Sequence, residues 1–192
     1  MINRILFLLG LVFILVGQIL LAQGIDWVYS QKPIDFAHWF LLIGALCLLP
    51  QVFDFPAKIF SYIGKPLTII GIAAFIGMCV LDFIFWSFPN EEARQEFANH
   101  IIPVSAIWKP FITIGPSSKI FNLGLLLLAL NYWKEAKLGL ALVFLADLIL
   151  WHLIPLPYRL VFGYAFSLIG FALIFYKLHQ MSVAKLAVKK AS

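Results

Sequence analysis

The sequence predicts an all-α polytopic membrane protein, a bundle of about six transmembrane helices with a long outer loop between helices three and four. Three observations predict it. Hydrophobic residues make up 63% of the 192 residues and charged residues only 12%, whereas a soluble domain carries about a quarter charged residues. Mean hydropathy is +0.99. The apolar residues also fall into runs close to the roughly 20 residues that a membrane-crossing helix needs. These runs are spread along nearly the whole chain, so residues 1–192 read as a single integral membrane domain. Such a composition excludes disorder and argues against a water-soluble domain. No run alternates polar and apolar residues as a transmembrane strand does. Backbone groups in lipid must pair internally, which leaves helices.

The first run covers residues 5–22. Met1-Ile2-Asn3-Arg4 ahead of it would also suit a signal peptide. The run is long for that role and Leu21-Ala22-Gln23-Gly24 is a poor cleavage site, so an uncleaved anchor is expected. The second run covers 36–53. A connector with Pro56 and Gly64 as breakers leads to the third, 66–88, which Pro66 opens. The fourth, 116–133, has the least clear limits, and residues 131–137 join it to the fifth, 138–155. Pro155 and Pro157 stop the fifth run and form a tight turn before the sixth, 160–178. The tail 179–192 carries Lys185, Lys189 and Lys190, which suit anionic headgroups.

Charge sets the expected orientation. With both termini cytoplasmic, the inner side holds nine basic residues against Asp54 and Glu135, and the outer side five basic against five acidic. The net charge of +5 is therefore a topology signal. An even helix count rests on the fourth run; without it the termini fall on opposite sides. A bacterial inner membrane is the expected location. The aromatic-laced basic surface of a nucleic-acid binder is absent, so the expected partners are the bilayer, a membrane protein, or a small solute or lipid of unknown identity.

The outer stretch 89–119 is long enough to suggest a role. Asn90 suits an N-cap, with Glu91 and Glu92 in the first turn of a short helix. The apolar segment 101–108 is too short to span, and is expected in the interface or dipping into an outer cavity. It is read either as a lid over helix ends or as a binding loop.

Two runs echo each other. Asp82 is followed four residues later by Trp86 and then Pro89; Asp147 is followed by Trp151 and then Pro155. The echo suggests a repeat of runs two–three and four–five, with the aspartates at similar depth. A carboxylate within a span is costly and usually faces the bundle interior or water. Asp82, Asp147, Trp86 and Trp151 are therefore candidates for binding a substrate or a proton, each aspartate sharing a helix face with its tryptophan. The bland reading is that each aspartate bonds a neighbouring helix. His152 joins the candidates, near the outer end of the fifth run. No cofactor is predicted. His38, His100 and His152 fall on one predicted side, where imidazoles could bind a metal, or His38 and His152 a haem. Ordinary interfacial histidines are the simpler account, since no metal motif such as HExxH is present.

Cys47 and Cys79 read as small core residues. Ala73 with Gly77, and Gly163 with Ser167, are spaced for close helix approach, and Gln18 reads as a polar packing contact. Phosphate-binding loops, nucleotide fingerprints and GxSxG are absent. Three functions are compatible: a small transporter-like or permease-like protein with an outward-facing polar cavity, an accessory or assembly subunit of a larger membrane complex, and a membrane-embedded enzyme acting on a lipid-like substrate. The lack of a nucleophile–base spacing ranks the enzyme third.

Overall fold

The computed structural model describes residues 1–114, 119–153 and 158–191. They are helical throughout, with short turns between. Helix α1, Ile2–Leu21, is apolar on all sides except for Asn3, Arg4 and Gln18. It ends before Gly24, whose φ of 106° lies in the left-handed region that only glycine enters easily. A short helix, α2 (Ile25–Ser30), precedes α3 (Phe36–Asp54). Asp35 caps α3 by accepting from the His38 backbone N–H at 3.1 Å.

Helix α4 runs Ile59–Ser87, 29 residues. It starts well before Pro66, the expected boundary, which lies inside it. Packing of the preceding turns overrides the proline. Ser61 is buried and accepts from Asn131 Nδ2 at 2.9 Å, and Gly64 packs on Gly124. The outer stretch forms α5 (Glu91–Ile101), capped by Asn90 as its sequence requires. It continues as α6 (Ser105–Trp108), which passes into a π-helical segment, Lys109–Ile114. Then come α7 (Lys119–Leu130), α8 (Lys137–Leu148) with a π-helical extension Ile149–Leu153, and α9 (Tyr158–Ala191). The expected tail thus continues α9 as helix.

Among the described residues, four helices are long and apolar enough to cross a membrane: Ile2–Leu21, Phe36–Asp54, Ile59–Ser87 and Tyr158–Ala184. That corrects the expected six. Among the described residues the fourth run forms a helix of 12 residues, about 18 Å, and the fifth one of 12 residues with a five-residue π-helical extension, at most about 25 Å, both short of the roughly 30 Å hydrocarbon core. Hydropathy does not register where a helix stops. The expected run includes Asn131, Tyr132 and Trp133, yet they turn the chain, with the Tyr132 N–H donating to Ala129 O and the Ala136 N–H to Tyr132 O, both at 2.9 Å. Beyond Leu148 the backbone changes to π geometry. The prolines expected to end the fifth run, Pro155 and Pro157, and the opening residues 116–118 of the fourth lie outside the described residues.

The six longer helices close a ring in the order α1, α3, α4, α7, α8, α9, with α9 returning to α1. The tightest neighbours are three consecutive pairs, α1–α3, α4–α7 and α8–α9. Each pair crosses at facing glycines: Gly10 on Gly44, Gly64 on Gly124, and Gly139 on Gly170. A Cβ built on either residue of the first or third pair would lie 2.6–2.8 Å from the partner's carbonyl oxygen. Backbone contact this close is how helices gain packing energy where lipid offers no hydrophobic contrast. Apolar side chains such as Ile63, Phe144 and Ile169 point outward, as a lipid-facing surface requires.

The tightest pairs join runs one–two, three–four and five–six rather than the two–three and four–five of the expected repeat. Asp82 meets His38 of α3, whereas Asp147 is buried on α8.

The end that carries the N-terminus is sealed by Phe7, Phe55, Phe171 and Phe175, whose ring centroids lie 4.9–6.4 Å apart. Arg4 covers Phe175 and Asn3 donates to the Asp54 carboxylate. Among the described residues, the opposite end is open to a cleft.

Candidate functional site

At the open end a cleft of about 350 Å³ lies between α2, α4, α5 and the segment from α6 onward. Its walls include Tyr29, Asp82, Phe85, Glu91, Arg94 and Trp108. Asp82 forms part of the floor, and behind it stands His38. The His38 Nε2 lies 3.3 Å from Asp82 Oδ2, and its Nδ1 lies 2.6 Å from Asp35 Oδ2. The side chains are 22% exposed at Asp82, 7% at His38 and 1% at Asp35, so the row leads inward from the cleft.

Local sequence explains the row. Asp35 is the N-cap of α3, so one carboxylate oxygen takes the His38 backbone N–H and the other faces the His38 ring one turn on. Phe83 meets the imidazole edge to face at 6.3 Å and stacks near Trp39 at 5.1 Å, which closes off the lipid side. A neutral imidazole has a single N–H. Both ring contacts are hydrogen bonds only when the Asp35–His38–Asp82 row holds at least two protons between its three groups. Falling below two breaks a contact, so the row's proton count and its geometry are coupled.

Arg94 organises the outer wall. Its guanidinium bonds Glu91 Oε2 at 3.0 Å through both Nε and Nη2, donates to Phe88 O, and lies 4.3 Å from the Tyr29 ring centroid. Burial pushes the Tyr29 phenol up to about 12, with Asp82 adding to the shift and Arg94 opposing it. The folded chain therefore favours the neutral phenol. The stability this lends is present below pH 10 and is lost as pH rises from about 10 to about 12. In a spectrophotometric tyrosine titration, the step removed by Tyr29→Phe is expected near pH 12; a step at 10 would place Tyr29 in open water.

The predicted residues divide sharply. Asp82 and His38 meet, a solute or proton candidate with a candidate metal or haem ligand. Trp86 faces away from the cleft. Its Nε1 donates to Gln31 O at 3.1 Å, and Lys32 sits 3.8 Å over its ring, so it ties the α2–α3 connection to α4. His100 is exposed on α5 and bonds Glu96 O within its own helix. Among the described residues, no three His, Cys, Asp or Glu gather as a metal site. His152 lies in the π-helical extension of α8, and its side chain falls outside the described residues.

No family model, curated protein or solved structure matches the chain.

Asp147 is 2% exposed, and its Oδ2 has no hydrogen-bond partner among the described residues; nor has Trp151 Nε1. A buried carboxylate without full compensation costs stability. Asp147→Asn is expected to raise the unfolding midpoint in detergent by roughly 2–4 °C; a lower midpoint would mean the charge is matched. Sequence reasoning missed Asp35, Tyr29 and Arg94. The signal for Asp35 was available: an aspartate three residues before a histidine at the start of an apolar run. Tyr29 and Arg94 carry no such signal, because folding alone brings α2 to α5.

Proposed function

We propose that this membrane-embedded helical protein is permease-like: it admits a small solute to the outer cleft and couples the solute's binding to proton movement along Asp82, His38 and Asp35. The observation that carries this reading is the position of Asp82, which borders the cleft and the buried histidine at once. A solute that pairs with Asp82 competes with His38 for the same oxygen, so binding and proton transfer interact directly. The cleft walls hold Asp26, Asp82 and Glu91 against one arginine, beside Phe85 and Trp108. That lining suits a small organic cation. The bias of nine basic residues to the sealed end supports an orientation with both termini cytoplasmic and the cleft outside.

The test is proton movement in proteoliposomes with a pH-sensitive dye inside, on addition of small amines, for wild type and Asp82→Asn. One observation favours a second reading, the membrane-embedded enzyme. An imidazole oriented by a buried carboxylate is also the geometry of a general base. Turnover of an added lipid ester without solute-dependent proton flux would favour it.

A further inference from the structure

On the sealed end, two hollows meet at the turn between α7 and α8. One, of about 370 Å³, is polar and includes Lys58, Asn131, Lys134 and Glu135. The other, of about 440 Å³, is apolar and runs between the helices, lined by Leu126, Leu140, Ala141 and Phe144, with Lys137 at its mouth. Leu130 and Trp133 line both, so the two adjoin as one groove-like surface with a charged head and a greasy stem.

We infer that this groove is a binding site for one anionic phospholipid, its phosphate at Lys134 and Lys137 and an acyl chain between α7 and α8. Three features select that occupant. The first is charge. Lys58 is committed, donating to Asn131 O at 2.8 Å and facing Glu135 at 3.9 Å. Lys134 and Lys137 are exposed and enter no salt bridge among the described residues. They leave a net positive charge where a headgroup would lie. The second is shape. The α7–α8 seam is the loosest in the ring, and both helices are short, so protein atoms leave the stem open. Interiors do not tolerate such gaps unless something fills them, and in a bilayer an acyl chain is the filler at hand. The third is level. Trp133 is exposed where head and stem adjoin, and indoles favour membrane interfaces. A soluble anion would explain the lysines but not the stem, and a neutral lipid the stem but not the lysines. The inference is independent of the solute reading, which concerns the other end of the molecule.

The test uses the full chain in mild detergent, with native mass spectrometry of retained lipid. Phosphatidylglycerol and phosphatidylcholine of identical chains compete at equal concentration. Wild type is expected to retain the anionic lipid in excess by roughly fivefold per lysine, about 25-fold for two. The double variant Lys134→Gln, Lys137→Gln should bring the ratio close to one, and Lys134→Arg with Lys137→Arg should keep the preference. Both lysines are exposed, so these variants are expected to fold, which gel filtration checks. Ala141→Trp, which fills the stem, should lower retention of both lipids. Equal retention by wild type, an unchanged ratio in the double glutamine variant, or displacement of the lipid by millimolar inorganic phosphate would each overturn the assignment.

Discussion

Asp82→Asn should reduce amine-dependent proton flux by about 100-fold or more, to the leak of empty liposomes, with little change in the unfolding midpoint. The magnitude follows from the loss of a positioned proton-exchanging group, which is typically worth about 10²–10⁴-fold. The preserved fold follows from geometry. Asparagine keeps the shape of aspartate, and its Oδ1 can still accept from His38 Nε2, now 3.3 Å from Asp82 Oδ2. His38→Gln should be as severe, because glutamine cannot relay a proton between two carboxylates. Asp35→Asn should be milder, roughly tenfold, since Asp35 does not border the cleft and acts by holding the imidazole. Glu92 is exposed and outside the cleft lining, so Glu92→Gln is the matched control. Flux at the wild-type level in Asp82→Asn would sink proton coupling through this row. Loss of flux in Glu92→Gln as well would reduce the effect to surface charge.

Gly44→Ala and Gly170→Ala should each lower stability by about 3 kcal/mol, the upper part of the usual range for overpacking. At Gly44 the new methyl meets Gly10 O at 2.7 Å and the Ile14 backbone N at 2.9 Å; at Gly170 it meets Gly139 O at 2.8 Å and the Val143 backbone N at 3.0 Å. Backbone cannot swing aside as a side chain can, so the whole helix pair must separate. Much of the packing between the two helices would then be lost, with no compensating hydrophobic gain in lipid. Gly77→Ala is the informative contrast. Its methyl would also collide, but with the ring of Phe111, a side chain on the outer π-helical segment. A smaller loss is expected there, measured as the unfolding midpoint by detergent gel filtration after heating. Equal losses at all three positions would show that added volume alone matters, and would remove the case for glycine-crossed pairs.

How much of this was legible in the sequence differs by level. The membrane class, the four long helices and the capped helix at Asn90 followed from local composition and spacing, because lipid solvation, helix length and capping are set by residues close in the chain. The echo of Asp82–Trp86 in Asp147–Trp151 does not show which aspartate meets a cavity: Asp82 borders the cleft and Asp147 is buried on α8. Chain order shows the glycines, but not that Gly10 faces Gly44 or Gly139 faces Gly170.

What the sequence determined by itself is that this chain must bury its backbone in helices within a bilayer, since 63% hydrophobic residues leave no other solvent for it. Only the tertiary structure decided that two of the six apolar runs stay short among the described residues, that Asp82 rather than Asp147 borders a cleft, and that Asp35 stands behind His38 as its partner. The physical reason is range. Hydropathy and capping act over a turn or two of helix. The Asp35–His38–Asp82 row spans 47 residues of chain and exists only because α3 packs on α4.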